Sequence, residues 1–505
     1  MAQPPTGIMG PVGTMTVTNK IVGPDGFRRP VIVVNDLHPG PLVTGQKGDN
    51  FDITVVNNLE DSTMLRQTSV HWHGLFQHQS AWADGPEGVT QCPISQSGES
   101  FRYTFTGGQE AGTYWYHSHF GTQYCDGLRG PMVVYDPQDP HLGLYDVDDA
   151  TTILTLTDWY HLQAPALQAP ARPDATLING KGRQPGNTNA ELAIVNVEEG
   201  KRYRIRLISL SCDPNYVFSI DEHEMTIIEV DGQNIAPVPG IQRIRIFTAV
   251  KNYWIRSLPN LGNNGLAGGF TGGINSAVLR YSGAASAEPT TPQWPNTSKV
   301  LDETELHPLI NAAAPGGSAP ADVHLNLALA FNAGTRKWTV DGKSWTSPPE
   351  PVMAQMMAGI PPEQLLPAGS IRTLPRNAVV EVSLPALVTG GPHPFHLHGH
   401  AFSVVRSAGS SIYNYDNPVR RDVVSIGNAG DNVTIRFITD NPGPWFFHCH
   451  IEFHLHDGLA MVFAEAPEAI AEQAPPAEWN TLCDRFNALP ESATRITAPT
   501  PVPQA

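Results

Sequence analysis

Four short histidine-rich motifs limit what this chain can fold into more than any other feature. They read HWHG (71–74), YHSH (116–119), HPFHLHGH (393–400) and FHCHIEFH (447–454). Residues i and i+2 of a β-strand point to the same face, so each His-x-His pair presents two imidazoles side by side. A single pair is usually two polar residues on a solvated strand face. Four pairs, two near each end of the chain, predict strands that build a metal site, and imidazole suits copper, zinc, iron and nickel.

Strand-forming segments also dominate the rest of the sequence. Examples are VIVVN (31–35), ILTLTDW (153–159), RYRIRLISL (202–210) and VVEVSL (379–384). Each is bounded by Gly, Pro or Asn, which favour turns. Gly and Pro each occur 46 times, as expected for many short strands joined by turns. Few amphipathic helical windows compete, so we predict an all-β chain of sandwiches or barrels.

Length and composition predict three domains. With 505 residues the chain is too long for one compact core. Composition changes at 136–143 (DPQDPHLG) and again in the Ser/Pro/Thr-rich stretch 282–298. Paired histidines occur in the first and third parts only, as if a repeated strand module kept its metal-binding ends in the outer copies. We predict domains at 1–138, 139–300 and 301–505, the last with a Pro/Ala-rich C-terminal tail.

Charge and hydropathy exclude several partners. The formal net charge of −17 disfavours nucleic acid and anionic membrane surfaces. We find no apolar run of 18 or more residues and expect no membrane span. Residues 1–7 (MAQPPTG) lack the apolar core of a secretory signal, so a signal peptide is not evident in this sequence. Sequons at Asn296 (NTS) and Asn432 (NVT) permit glycosylation on a secretory route.

The cysteine count points to one special thiol. The five cysteines are Cys92, Cys125, Cys212, Cys449 and Cys483. An odd number in an exported protein leaves one cysteine unpaired. If Cys449 binds metal, the other four can form two disulfides, and three pairings remain open.

The surroundings of Cys449 favour copper over zinc. A thiolate with two histidines and a weak axial group is the blue-copper arrangement. Cys449 and His454 supply two such ligands from one segment, and His393 can supply the third. On a strand, Cys449 faces opposite to His448 and His450, so its sulfur can bind one copper while its neighbours bind a second site behind. One thiolate among ten candidate imidazoles is not a structural zinc pattern.

These motifs give the chain a dense resemblance to a known family. It resembles fungal laccases of the basidiomycete type, among the multicopper oxidases, along its whole length. The resemblance implies three cupredoxin-like Greek-key β-sandwich or barrel domains in tandem. The matching motifs are HWHG, WADGP (82–86), QCPIS (91–95), GTYWYHSH (112–119), QYCDGLRGP (123–131), SLSCDPNY (209–216), HPFHLHGHAF (393–402), YNYDNP (413–418) and NPGPWFFHCHIEFH (441–454).

The resemblance also implies four copper ions per monomer and their ligands. Type 1 copper falls on His393, Cys449 and His454. Leu459 takes its axial position, where leucine cannot coordinate and an apolar group implies a stronger oxidant. Type 2 copper falls on His71 and His396. The two type 3 coppers fall on His73, His117, His119, His398, His448 and His450. His400 continues the alternation of its motif, and we interpret it as structural or as a hydrogen-bond partner behind the ligands.

Catalytic roles follow from the same resemblance. A reducing substrate meets the edge of His454, next to the electron-accepting Cys449. Asp213 accepts a proton from the phenol or aniline. Asp84 serves the oxygen side, where reducing one O2 to two waters consumes four protons. From the residues alone both acids read as turn residues, because they lie in Cys-Asp-Pro and Asp-Gly-Pro.

The resemblance pairs the remaining cysteines as Cys92–Cys483 and Cys125–Cys212. Two local departures from the family accompany it. His456 and Asp457 stand beside the type 1 site where an acidic and a small residue are usual. The second domain looks shortened near 232–252, as if it lacked one strand, which would expose a sheet edge.

We therefore predict a secreted, extracellular and monomeric laccase. Its substrates are small phenolic or aromatic amine reductants and O2, in lignin or phenolic degradation or in detoxification. One alternative is a multicopper oxidase acting on Fe(II), for which Glu452, Asp457 and Asp213 are the available carboxylates. Another alternative is a non-catalytic copper-binding cupredoxin protein. The shortened second domain keeps this alternative open.

Overall fold

The computed structural model describes residues 7–168, 170–241, 251–260, 268–295, 299–387, 391–499 and 501–504. Strands make up most of the regular structure, and the helices are few and short. Each sheet takes all its strands from one of three consecutive stretches of chain, 8–135, 153–281 and 323–465. We call these the first, second and third units. The all-β prediction is confirmed, whereas the boundaries at 138 and 300 stay predictions.

The first unit is a pair of packed sheets that carries two of the histidine motifs. Their strand orders are β1-β4-β9-β8-β6 and β3-β2-β5-β7. Strands β6 and β8 are antiparallel neighbours, and their register sets His71 opposite His117. Pairing of these strands therefore brings the first two motifs together. The strands are β1 (Ile8–Met9), β2 (Val12–Val22), β3 (Arg29–Val34), β4 (Leu42–Gln46), β5 (Asn50–Asn57), β6 (Val70–His73), β7 (Glu99–Thr106), β8 (Gly112–Ser118) and β9 (Arg129–Tyr135).

The second unit contains two four-stranded sheets and a separate hairpin. Their orders are β12-β11-β10-β14, β13-β19-β18-β15 and β16-β17. Strand β17 covers the first part of the segment 232–252, which is predicted to be short. Residues 242–250 of this segment lie outside the described residues, so the shortening stays a prediction. The strands are β10 (Ile153–Trp159), β11 (Ala175–Ile178), β12 (Lys181–Arg183), β13 (Ile194–Val197), β14 (Arg206–Ser209), β15 (Asn215–Ile220), β16 (Met225–Val230), β17 (Gln233–Ile241), β18 (Asn252–Asn260) and β19 (Ser276–Tyr281).

The third unit has two five-stranded sheets, ordered β20-β24-β29-β26-β27 and β23-β31-β30-β25-β28, and the hairpin β21-β22. Its strands are β20 (Val323–Asn326), β21 (Leu329–Asn332), β22 (Lys337–Val340), β23 (Ile371–Leu374), β24 (Val379–Pro385), β25 (Pro394–Leu397), β26 (Phe402–Arg406), β27 (Arg420–Arg421), β28 (Val423–Ser425), β29 (Asn432–Ile438), β30 (Gly443–Cys449) and β31 (Ala460–Glu465). The described α-helices are α1 (Val352–Met357), α2 (Glu452–His456), α3 (Leu482–Asn487) and α4 (Glu491–Thr494).

Short 3-10 helices fill several connections. They span Ala81–Ala83, Gln123–Asp126, Leu142–Leu144, Ala150–Thr152, Ala164–Ala166, Thr271–Gly273, Glu303–Glu305, Pro362–Gln364, Pro467–Glu472 and Trp479–Thr481. Within the ranges that the structure describes, no helix has the length and apolar character needed to cross a membrane.

Burial patterns explain why the strands take these places. Alternate residues of β5 are buried, as expected for a strand with one face on the core. All seven residues of β30 are buried. Strand β30 lies between β25 and β31, and its register sets His448 opposite His396 and Cys449 opposite Phe395. The third and fourth motifs are therefore adjacent inside the protein.

Two disulfides join parts of the chain that lie far apart in sequence. Cys92 is bonded to Cys483, which ties α3 to the first unit. Cys125 is bonded to Cys212 and joins the first and second units. Both pairings that the resemblance implied are thus present, and Cys449 is the free, buried cysteine.

Candidate metal centre

The four histidine motifs meet where the first and third units touch. The ring centroids of His71 and His398 lie 4.0 Å apart, and those of His73 and His396 lie 3.9 Å apart. The two units are also hydrogen-bonded across this junction, as the Asn441 side chain donates from Nδ2 to the backbone carbonyl of Phe76 over 2.7 Å. Eight buried imidazoles form what we call the histidine cluster: His71, His73, His117, His119, His396, His398, His448 and His450.

Hydrogen bonds fix which ring nitrogen of each histidine faces the cluster. The Nδ1–H of His71 donates to Asp84 O over 2.8 Å, and that of His117 donates to Ser118 O over 2.9 Å. His396 and His448 donate in the same way, to Asp422 O and Cys449 O. Such bonds orient an imidazole and leave its Nε2 lone pair for a metal. The other nitrogens of these rings therefore point at one another.

Several of these inward nitrogens have no hydrogen-bond partner among the described residues. They are the Nε2 atoms of His71, His117, His119, His396 and His450. Leaving one buried polar atom unsatisfied costs ~1–3 kcal/mol. Five such atoms therefore cost an amount comparable to the ~5–15 kcal/mol net stability of a protein. A bound cation removes this cost, so the cluster has the donor set of a metal site.

The electrostatic environment keeps six of these imidazoles neutral. Burial, reinforced by the neighbouring imidazoles, lowers the pKa of these six histidines, because the charged form loses its hydration. The pKa falls to about 3 for His450. It lies well below the ordinary value for His73, His117, His119, His398 and His448. Neutral imidazole is the form that binds metal, so these residues are ready ligands near neutral pH.

A second group, the cysteine group, consists of His393, Cys449 and His454. Cys449 Sγ lies 3.6 Å from His393 Nδ1 and 3.7 Å from His454 Nδ1, and the two nitrogens are 3.1 Å apart. His393 and Cys449 are fully buried, whereas His454 on α2 is half-buried. Burial raises the pKa of the Cys449 thiol and lowers that of His454 to about 3. A metal that binds here must therefore displace the thiol proton.

Apolar residues enclose the cysteine group. Leu459 is fully buried, and its carbonyl oxygen accepts a hydrogen bond from Cys449 N over 3.0 Å. Trp338 of β22 packs its ring 4.6 Å from the His454 ring and 5.0 Å from the His393 ring. No pattern in the sequence marks Trp338, because it lies far from the motifs and carries no metal-ligand chemistry.

Two carboxylates support the histidine cluster. Asp84 is fully buried, and its Oδ2 accepts a hydrogen bond from His398 Nδ1 over 2.8 Å. Asp84 directly follows a 3-10 helix, and its side chain contacts the cluster. Asp422 was not selected from the sequence. Its Oδ1 lies 3.2 Å from His73 Nε2, and the two residues are 349 positions apart.

Asp213 lies on a cavity of about 600 Å³ between the three units. His450 and Asp422 line the same cavity. Asp213 is half-buried, and burial together with the nearby Asp158 carboxylate raises its pKa to about 7. A carboxyl with this pKa exchanges protons near neutral pH, which suits a proton acceptor.

The remaining predicted positions lie around the two groups. His400 pairs with the buried Glu465, with 2.7 Å between Nε2 and Oε2. His456 is exposed on α2, and the Asp457 carboxylate lies 3.2 Å from the Lys337 ammonium. Glu452 is buried, and burial raises its pKa well above the ordinary value.

Comparison with known proteins decides the family. Profiles described as "Multicopper oxidase" match residues 16–139, 150–284 and 343–469. Laccase-2 of Pleurotus ostreatus is 54% identical over 511 residues, covering 96% of this chain and 94% of the relative. Laccase-1 of Trametes villosa is 55% identical over 503 residues, covering 96% and 95%. This chain belongs to the multicopper oxidase family. Within that family it groups with the laccases.

Solved structures of multicopper oxidases share the same architecture. The laccase from Botrytis aclada superposes with a TM-score of 0.80 at 30% identity, covering 99% of this chain and 95% of that one. Fet3p, a multicopper oxidase that functions in iron import, has a TM-score of 0.80 at 25% identity, with 97% of each chain covered. The prediction of three cupredoxin-like domains in tandem is confirmed.

The donor set agrees with membership of this multicopper oxidase family. Neutral imidazoles and one thiolate are ligands that suit copper, and the cysteine group has the His2Cys composition of a blue-copper site. The protein is a copper-binding oxidoreductase of the laccase type, and the prediction of an enzyme is confirmed. As a laccase-type oxidase it acts on small reducing molecules and O2.

We expect Asp84→Asn to weaken copper binding by the histidine cluster about 10–100-fold, the usual effect of losing a carboxylate behind a metal-bound histidine. The amide keeps the shape of Asp84 but removes the charge that accepts from His398. Copper per chain, measured by elemental analysis after dialysis against graded chelator, reports the change. Asp416→Asn, at an exposed position of the third unit, is the control and should retain the wild-type copper content. Equal retention by both variants would contradict the role given to Asp84.

Proposed function

We propose that this laccase holds four copper ions in its two groups of ligands. Type 1 copper takes the cysteine group, His393, Cys449 and His454, with Leu459 as a non-coordinating axial neighbour. The histidine cluster takes the other three. Type 2 copper uses His71 and His396, and the two type 3 coppers use His73, His117, His119, His398, His448 and His450.

One observation carries this proposal. Cys449 belongs to the cysteine group, while the residues on both sides of it, His448 and His450, belong to the histidine cluster. Its neighbours face the other way because side chains alternate along a strand. Two short stretches of backbone therefore join the two groups. Such a link serves electron transfer between separate metal sites, and it would have no use in a protein that only stores copper.

The proposed reaction couples four one-electron oxidations of phenols or aromatic amines to the reduction of one O2. Four electrons and four protons convert O2 into two waters. Copper, when bound, supplies the one-electron oxidation and reduction chemistry. The protein supplies the binding surfaces, the insulation of the sites and the proton-accepting groups.

On the substrate side the chain's own residues bind the donor and take its proton. The half-buried His454 is the exposed side of the cysteine group, so a donor meets its ring edge. Trp338 and Leu459 keep water from the rest of the group. An oxidised phenol is a strong acid, and Asp213 accepts the proton that it releases.

On the oxygen side, Asp84 and Asp422 hold His398, His396 and His73 in position. Asp84 is the proposed acid of this side. The alternative of an Fe(II) oxidase gains no specific support, because Glu452 is buried and Asp457 is paired with Lys337. The complete set of predicted ligand residues also speaks against a non-catalytic cupredoxin protein.

Cys449→Ser tests the central claim. Serine is nearly isosteric but is a poor copper ligand, so we expect loss of one copper per chain and of the thiolate-to-copper absorption. Phenol oxidation should fall at least about a thousandfold, because the barrier rises by more than about 4 kcal/mol when the electron path is lost. His324→Ala, at an exposed histidine outside both groups, should keep colour and rate. A Cys449→Ser protein that is still blue and active would contradict the proposal.

The pKa of Asp213 gives a pH prediction. Only the ionised carboxylate accepts a proton, and its fraction rises with pH through about 7. The kcat/KM for a dimethoxyphenol, divided by that for ferrocyanide, should therefore rise through the same range. Ferrocyanide gives up an electron and no proton, so the ratio cancels pH effects on later steps. Asp213→Asn should flatten the rise and lower the ratio about 10²-fold, a typical loss for a general base.

Localisation and assembly stay predictions. We propose that the protein is secreted, monomeric and glycosylated at Asn432, which begins β29 and is half-buried. Asn296 lies outside the described residues. The proposed biological role is the breakdown of lignin and other phenolics, or their detoxification. Native mass spectrometry of protein from culture medium, before and after deglycosylation, should give one 54.7 kDa chain plus a removable glycan. A dimer mass, or a mass without glycan, would refute these assignments.

A further inference from the structure

A fully buried carboxylate, that of Asp158, holds the turn that carries Asp213. Asp158 lies near the end of β10. Its Oδ1 accepts a hydrogen bond from Cys212 N over 3.0 Å, and its Oδ2 accepts one from Asp213 N over 3.2 Å. The hydroxyl of Tyr160 donates to the same Oδ2 over 2.9 Å. One side chain therefore binds two consecutive backbone N–H groups of the turn.

Other contacts fix the same turn from the remaining sides. Arg129 Nη1 donates to Asp158 Oδ1 over 3.0 Å and to Leu210 O over 2.6 Å. Glu452 N donates to Cys212 O over 2.9 Å, which joins the turn to the residues just after Cys449. The Cys125–Cys212 disulfide completes the attachment. These contacts hold the backbone from which the Asp213 side chain reaches the cavity.

The charges around Asp213 make Asp158 the dominant neighbour. The titratable groups that face Asp213 from the packed elements are Asp158, Tyr160, Tyr124 and Cys449. Arg129 and Glu452 contact the same turn. Burial raises the pKa of Asp213 first, and the carboxylate of Asp158 raises it further, since a like charge disfavours ionisation.

We infer that Asp158 is a positioning residue for phenol oxidation: its side chain fixes the turn that carries Asp213. This inference rests on the proposed role of Asp213 as proton acceptor. The phenol loses one electron and the proton of its O–H group and becomes a phenoxyl radical. The electron would pass by way of His454 to copper held by the cysteine group, which supplies the oxidant when bound, and the proton goes to Asp213. Asp158 touches neither substrate nor ligand, so its effect must appear through Asp213.

The test uses Asp158→Asn in the copper-loaded enzyme. The measured quantity is the ratio of kcat/KM for a dimethoxyphenol to that for ferrocyanide, between about pH 4 and 9. Removing the charge of Asp158 should move the midpoint of the rise down by about one pH unit, as for loss of a like-charged neighbour. The plateau should fall as the turn loosens. Ferrocyanide oxidation should stay within about twofold of wild type.

Tyr160→Phe supplies an independent arm that keeps the Asp158–Arg129 pair. Without the hydrogen bond from the Tyr160 hydroxyl, more of the negative charge stays on the Asp158 carboxylate. The midpoint of the pH profile should therefore move upward, by less than the downward shift expected for Asp158→Asn. Tyr413→Phe, at an exposed tyrosine, is the matched control and should not shift it. If Asp158→Asn does not fold, as loss of a buried ionic partner can cause, the Tyr160→Phe result decides alone.

A second readout does not depend on turnover. The infrared band of the protonated Asp213 carboxyl reports the titration of this group directly. The band is obtained by subtracting the spectrum of the same variant with the added substitution Asp213→Asn from the spectrum of each variant. Where both variants fold, support requires a lower midpoint in Asp158→Asn and a higher one in Tyr160→Phe by both methods. The inference is overturned if the Asp158→Asn enzyme folds, is blue and keeps the wild-type midpoint and plateau. It is also overturned if the midpoint in Tyr160→Phe is unchanged or lower. If Asp213→Asn itself leaves the phenol ratio unchanged, the role of Asp213 fails, and the inference fails with it.

Discussion

Alternation of side chains along β30 is the constraint on which the rest of this structure depends. Because neighbouring residues of a strand face opposite ways, Cys449 turns toward His393 and His454 while His448 and His450 turn toward the histidine cluster. A helix in this place would put the three residues about 100° apart around its axis and would not divide them cleanly between two sites. Strands β25 and β31 pair with the two edges of β30, and because all seven residues of β30 are buried, other parts of the protein must cover both of its faces.

Burial then makes the centre chemically useful. The same loss of water has two effects. It keeps imidazoles neutral, with lone pairs that point inward, and it keeps the proton on the thiol until a metal replaces it. The supporting hydrogen bonds come from backbone carbonyls and from Asp84 and Asp422, which do not belong to the histidine motifs. Ligands and supports therefore arise from different parts of the sequence and meet only after folding.

The residues that could be predicted are those with a local signature. Pairs of histidines at i and i+2 predicted both the strands and the metal site. The strand-forming segments bounded by Gly, Pro or Asn predicted the all-β class. The disulfide partners needed the resemblance, because four cysteines permit three pairings. Asp422, Trp338 and Asp158 could not be found in this way. Each acts through a contact made by strand pairing or by packing between units, and a lone Asp or Trp has no sequence pattern that marks it.

The histidine cluster takes four members from residues 71–119 and four from residues 396–450, and this division has a consequence for biogenesis. A chain made from its N-terminus exposes the first four imidazoles long before the last four exist. The first unit can fold early, yet it offers only half of the donors and cannot retain a full metal complement by itself. Maturation of the centre must therefore wait for the final third of the polypeptide, and the Cys92–Cys483 crosslink needs a residue that is made later still. A chain that ends before residue 393 lacks every member of the cysteine group and half of the histidine cluster, so it can complete neither group.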